Sequence, residues 1–191
     1  MTILDARQAR PLDGGPSFSL ANRLRRLAFA LTWLILCRWS PPQLRRWRVA
    51  VLRLFGARLA ADAIIYPSVR IWLPENLVME QGTTLGPGVE CYNMAPITLG
   101  AGAIVSQRAF LCAGTHDHRD PAMQLLARPI IIGPKAWVAA EAFVGPGVTI
   151  GEGAVLGARA AATRDLDSWT VYAGNPCTPL GPRVMREPAA G

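Results

Sequence analysis

An aliphatic residue returns at every sixth position through most of this chain. Ile132, Val138, Val144, Ile150 and Leu156 are in phase, and the fifth residues of those hexads (Ala136, Ala142, Val148, Ala154 and Ala160) are all small. Upstream, Leu99, Val105 and Leu111 keep the register with Ala103 and Ala109 between them. Earlier still come Met79, Leu85, Cys91 and Ile97, and before them Leu59, Ile65 and Ile71, with two-residue slips between blocks (71 to 77 to 79, and 97 to 99). A fixed internal repeat constrains a fold more than any local propensity. Three hexads of short, flat strand close one 18-residue coil of a three-sided prism, and successive coils stack at about 4.8 Å. Gly133-Pro134 and Gly145-Pro146-Gly147 suit the tight corners. The content of 18 Gly and 16 Pro fits such a turn-rich β architecture and not a helical one. The expected fold class is therefore all-β, a parallel β-helix, its handedness left open by the periodicity.

The N-terminal part follows a different pattern. Residues 1–17 read as a flexible leader. Over 18–56, Leu20, Leu24, Leu27, Leu31, Leu34 and Ile35 fall at helical spacing. Ser40-Pro41-Pro42-Gln43 reads as the start of a second helix, with Ser40 as N-cap, and Gly56 as its stop. Leu44, Trp47, Val51 and Leu54 share one predicted face, with Arg45, Arg46, Arg48 and Arg53 off it. The uncharged run Leu27–Cys37 is too short for a bilayer span, which needs about 20 residues. The expectation is a helical hairpin, either peripheral on a membrane or packed on the β-domain or a second subunit.

Charge is distributed to match. Residues 1–60 carry 11 Arg against two Asp, a net of +9, and residues 61–191 carry nine Lys+Arg against 11 Asp+Glu, a net of −2. A nucleic-acid binder usually spreads basic residues over its folded surface, so nucleic acid is not expected as a partner. An anionic membrane surface fits better. Cysteines at 37, 91, 112 and 177 form no CxxC pair, and no signal-peptide pattern precedes them, which points to a reducing cytoplasm. The inner face of the plasma membrane is then the candidate contact for residues 18–56.

The repeats span 57–168 and break once, over the loop 113–130. Ala113-Gly114-Thr115-His116-Asp117-His118-Arg119-Asp120-Pro121 is polar and contains both histidines of the chain. Long loops on rigid scaffolds tend to carry function. Neutral imidazole can take a proton from an attacking hydroxyl, and Asn93 is a candidate amide donor to the oxyanion that develops. A zinc site of the carbonic-anhydrase type needs three histidine ligands where this chain has two, so no metal is expected. Cys112 with His116 is a conceivable thiol pair, but Cys112 lies in the repeat and reads as structural.

The run from Ile132 to Val155, then Thr163-Arg164-Asp165 and Ala173-Gly174-Asn175-Pro176, resembles the hexapeptide-repeat O-acetyltransferases, a family that includes maltose, galactoside and nodulation-type enzymes. Tyr66-Pro67-Ser68-Val69-Arg70-Ile71-Trp72, Tyr92-Asn93-Met94-Ala95-Pro96-Ile97 and His116-Asp117 resemble the colanic-acid biosynthesis subgroup, as does the arginine-rich start. The resemblance covers about residues 20–186. It implies a left-handed β-helix, a homotrimer with active sites between prisms, and acetyl-CoA as co-substrate. It implies His116 as catalytic base and Trp137 beside the pantetheine arm. Ala140 and Ala158 match backbone contacts to that arm, Thr163 and Arg164 a pair near the CoA nucleotide, and Asn175-Pro176 the C-terminal CoA turn. Asp117 and His118 are acceptor-side candidates. Relatives place a cation just after Gly-Asn-Pro where this chain has Cys177-Thr178, so Arg183 or Arg186, in the 169–191 tail, is expected to replace it.

The implied function is acetyl transfer to a sugar hydroxyl, on an exopolysaccharide or other envelope polysaccharide, with a sugar, glycolipid or polysaccharide intermediate as acceptor. Acetylation of serine or a xenobiotic, and a non-catalytic β-helical scaffold, are the alternatives.

Overall fold

The computed structural model describes residues 2–186; the last five residues of the predicted tail, 187–191, lie outside the described residues. Every hexad aliphatic named above except the half-buried Ile71 points inward and is buried, most of them completely. The result is the expected left-handed parallel β-helix with an N-terminal helical region. Its strands are two or three residues long, apart from the last two, and stack into three parallel sheets. The first holds Arg58–Leu59, Leu77–Met79, Ile97–Leu99, Ile130–Ile132 and Thr149–Ile150. The second runs from Ile64–Ile65 through Trp137–Val138 and Val155–Leu156 to Thr170–Ala173, where Thr178–Pro182 turns back antiparallel. The third holds Arg70–Ile71, Glu90–Tyr92, Phe110–Cys112, Phe143–Val144 and Ala161–Ala162.

Sequence slips have one structural address. All fall at the corner between the third sheet and the first. There Ile71 to Met79 and Cys91 to Leu99 each take eight residues in place of six, and the loop leaves between Leu111 and Ile132. The widened corner is locked by two asparagines. Asn76 Nδ2 donates to the Asn93 and Met94 carbonyls, and Asn93 Nδ2 donates to Leu73 O at 2.6 Å. At another corner the chain needs a left-handed residue in each coil, and Arg108, Glu141 and Arg159 take that conformation without glycine (φ 57, 59 and 58°). Glu141 bridges both arginines there, at 2.6 Å to Arg159 Nε.

Of the N-terminal helices, the third packs on the first two strands of the prism. Helices α1 (Ala6–Ala9), α2 (Leu20–Leu36) and α3 (Arg45–Leu54) precede the first strand. The second helix starts later than the sequence implied. Ser40 is not its cap; a 3₁₀ turn over Pro42–Leu44 intervenes, and α3 begins at Arg45. Its buried face is also different. Arg48, Val49, Val51 and Leu52 face the prism, while Leu44, Trp47 and Leu54 are exposed. Arg48 explains the rotation. Its guanidinium is buried and donates to Ile65 O, Ser40 Oγ, Pro41 O and Pro42 O at 2.6–2.9 Å. A buried cation is tolerable only when its donors are met in this way.

The leader read as flexible is ordered. Ile3 bridges Phe18, Leu4 N–H donates to Ser17 O at 3.1 Å, and Asp5 caps α1. What holds it is the loop 113–130, described next.

Candidate functional site

His116 stands on a short hairpin raised from the prism. Gly114–His116 pairs antiparallel with Leu125–Ala127, His116 opposite Leu125. Gly114 lets the hairpin sit down on the body, since a Cβ there would come within 1.6 Å of Met94 Cε. The turn between the strands is built from side chain-to-backbone bonds. Asp117 Oδ1 accepts from Arg119 N–H and Asp120 Oδ1 from Ala122 N–H, both at 3.0 Å. These local bonds are what Asp supplies in tight turns. They place the Met123 carbonyl 2.7 Å from His116 Nδ1. A carbonyl can only accept, so Nδ1 carries the proton and Nε2 of the neutral ring keeps its lone pair. The ring is exposed and oriented, as a base must be.

Gln124 ties this turn to the leader. Its Oε1 accepts from Ala6 N–H at 2.7 Å, and its Nε2 donates to Leu4 O at 3.2 Å and Leu125 O at 3.1 Å. Leu125 shares an apolar cluster with Phe18 and Met94, against which Ile3, Trp72 and Tyr92 pack. Beside it lies a cleft of about 380 Å³ lined by Gly14–Phe18, Arg23, Arg26, Trp72 and Tyr92. An aromatic ladder floors it: Phe18 to Trp72 at 4.9 Å, Trp72 to Tyr92 at 6.0 Å, Tyr92 to Phe110 at 6.4 Å. The Arg26 guanidinium lies 4.2 Å from the Trp72 ring. Aromatic faces with flanking donors suit a sugar ring. Neither Gln124 nor Arg26 was singled out from sequence. Nothing local marks them, because Gln124 meets Ala6, 118 residues away, and Arg26 on α2 meets Trp72 of the prism.

Asn93 is a correction. Its side chain is completely buried, with Oδ1 accepting from Trp72 and Leu73 N–H (3.1 and 3.0 Å) and Nδ2 donating to Leu73 O. It holds the corner and offers nothing to an oxyanion. Asp117 spends Oδ1 on its own turn. His118 is exposed on that turn. Cys112 is a half-buried thiol whose Sγ donates to Gly114 O, and burial pushes its pKa up, so it is no thiolate nucleophile. Burial pushes the Cys91 thiol up to about 12.

Trp137, Ala140 and Ala158 lie along a different corner, between the second and third sheets, whereas Thr163 and Arg164 follow Ala161–Ala162 at the corner between the third sheet and the first. Trp137 is 42 % exposed and its indole N–H donates to Ser106 Oγ at 2.9 Å. Ala140 O accepts from Arg159 N–H, and Gly157-Ala158 and Ala173-Gly174 continue the same shelf on the next coils. Ala161 N–H donates to Gly174 O and Cys177 N–H to Ala161 O, which sets Thr163 and Arg164, both exposed, beside the exposed Asn175-Pro176 turn. Arg164 is close enough to lower the Cys177 thiol pKa against its desolvation. Arg183 Nη1 donates to Lys135 O and Gly153 O (2.9 and 3.0 Å), so that edge of the guanidinium anchors the tail to the prism. Among the described residues no group of three or more His, Cys, Asp or Glu could hold a metal.

A parallel β-helix carrying one oriented histidine on a loop at one corner, and a narrow shelf of small residues at another, defines the hexad-built acyltransferase class. The sequence comparisons agree. WcaF of Escherichia coli (strain K12), named as a colanic acid biosynthesis acetyltransferase, is 43% identical over 149 residues, 78% of this chain and 82% of its own. The galactoside O-acetyltransferase of the same organism is 32% identical over 143 residues, 73% of this chain and 68% of its own. A galactoside acetyltransferase solved in complex with coenzyme A shares the fold, with a TM-score of 0.79 at 21% identity over 96% of this chain and 92% of that one. No protein-family model matches the chain. The chain belongs to the hexapeptide-repeat O-acetyltransferase family.

Proposed function

We propose that this enzyme transfers the acetyl group of acetyl-CoA to a sugar hydroxyl during assembly of an exopolysaccharide or other envelope polysaccharide. The observation that carries the reading is the His116 Nδ1–H bond to Met123 O, which leaves Nε2 free at an exposed hairpin next to an aromatic, arginine-flanked cleft. His116 Nε2 takes the hydroxyl proton as the oxygen attacks the thioester carbonyl. The carbon–sulfur bond then breaks, and the proton passes from His116 to the departing thiolate. The transfer is read as direct, since the thiol nearest the hairpin, Cys112, is half-buried and donates to Gly114 O. The likeness to WcaF supports a polysaccharide acceptor, and the coenzyme A complex of the galactoside enzyme supports the donor.

His116 and the Trp137–Ala158 shelf belong to different corners of one prism. A single chain therefore contributes two half-sites. A homotrimer, in which each hairpin faces a neighbour's shelf, completes three whole ones. The four free thiols support a reducing, cytoplasmic location.

The test is an acceptor screen read by mass spectrometry, with acetyl-CoA and a panel of free sugars, nucleotide sugars, lipid-linked repeat units, serine and aromatic alcohols. The expected result is one acetyl group on a sugar oxygen. Acetylation confined to serine or a xenobiotic would overturn the polysaccharide reading. No product, with no rise in melting temperature at saturating CoA, would make the protein a scaffold.

A further inference from the structure

Helix α2 is fastened to the prism by only two buried residues. Phe29 packs on Phe55 with ring centroids 5.3 Å apart, and Trp33 donates its indole N–H to Pro67 O at 3.3 Å. Leu20, Leu24, Leu27, Leu31 and Leu34 recur at spacings of four and three, and with 3.6 residues per turn they form one stripe turned away from Phe29 and Trp33, its edge bordering open grooves against Ser68–Trp72. Each of the five is at least half exposed. Because Phe29 and Trp33 fix the helix's rotation, its own chain cannot cover that stripe.

The charge around the stripe decides what can. No acidic residue occurs between Asp13 and Asp62, a stretch with nine arginines. Arg48 is buried, and Arg25 pairs with Glu75 of the prism at 2.6 Å. Arg38, Arg45 and Arg46 are exposed where the two helices meet, next to Trp39, which is 82 % exposed. A copy that met this stripe with its own would bring two acid-free arginine segments together, and a neighbour around a three-fold axis would meet it with residues 61–191, whose net charge is only −2. An anionic lipid surface satisfies both features at once. It accepts the leucines at the acyl boundary, the indole at headgroup level and the guanidinium groups on phosphates. Among the described residues no helix is long and apolar enough to cross a membrane, so the helix would lie flat.

We propose that α2 docks the protein on an anionic phospholipid surface, leucine stripe inward and the arginines of the α2–α3 bend against the headgroups. The docking is independent of the acyl-transfer reading, because it is measured without donor or acceptor.

The experiment is co-sedimentation of the full chain with vesicles of phosphatidylglycerol and phosphatidylcholine, against vesicles of phosphatidylcholine alone. The oligomeric mass is followed in parallel by light scattering. The wild type binds the anionic vesicles, and binding weakens as salt is raised. Leu24→Glu/Leu31→Glu lowers affinity by about ten-fold or more, with melting temperature and oligomeric mass unchanged. If that double variant fails to fold, Ile35→Ser, 70 % exposed on the flank of the stripe, serves with the same readouts. Three results overturn the proposal: wild type that ignores anionic vesicles, a folded variant that binds as tightly as wild type, or a variant whose oligomer dissociates. The last would assign the stripe to a second copy.

Discussion

Asn93→Ala separates a structural from a catalytic role at the position where sequence and structure disagree most. The side chain is completely buried and makes three hydrogen bonds. Two of its partners have a second bond to fall back on: Trp72 N–H also donates to Cys91 O, and Leu73 O also accepts from Asn76 N–H. Among the described residues Leu73 N–H has only Asn93 Oδ1. Leaving one buried donor unmet costs about 1–3 kcal/mol, and each shared bond contributes about 0.5 kcal/mol. With the small cavity left by truncation, the loss is about 3 kcal/mol. In a chain of 191 residues this lowers the melting temperature by about 6–12 °C. The assay is thermal unfolding beside kcat measured well below the transition. The structural account expects the drop in melting temperature with kcat within about three-fold of wild type. An oxyanion donor would give the reverse, a kcat loss of about 10²–10³-fold with unchanged melting, and that result would refute the reasoning.

Two further perturbations probe the hairpin and the corner ladder. Gln124→Ala frees the leader from the His116 turn and should lower kcat by about ten-fold through misplacement of the base, while melting shifts by no more than about 3 °C; unchanged kcat would show that the leader does not support the hairpin. The Glu141 carboxyl is held below the ordinary glutamate range by hydrogen bonds from Arg159 and Arg108. A pKa lower in the folded than in the unfolded chain stabilises above the unfolded value, about 4.3, and that stabilisation is lost as pH falls through the folded one. Melting curves across that range should therefore converge for wild type and Glu141→Gln as the medium is acidified, and a constant gap would contradict the assignment.

The prism was legible because its signal is a strict period. A branched aliphatic residue every sixth position has one geometric use, and each corner insertion showed as a break in phase. The ends were less legible. Leu44, Trp47, Val51 and Leu54 read as one apolar face of the second helix, but of these only Val51 is buried, because Arg48 finds four oxygen acceptors at the base of the prism. The leader looked flexible because Gln124, its main partner, is 118 residues from Ala6. Asn93 looked catalytic because an asparagine near an active-site loop is chemically plausible, and only the stacked corner reveals that its amide is consumed. His116 was visible from residue type and loop context. Its tautomer was not, because the orienting carbonyl belongs to Met123, a residue whose side chain gives no hint of it.

His116→Ala is the most direct test of the central claim that this oriented imidazole is the base for acetyl transfer. CoA release is followed at saturating acetyl-CoA with the sugar acceptor identified by the screen, and thermal shift with CoA confirms that the donor still binds. The account predicts a kcat lower by about 10²–10⁴-fold with the CoA shift intact. A variant that keeps near-wild-type kcat would contradict it.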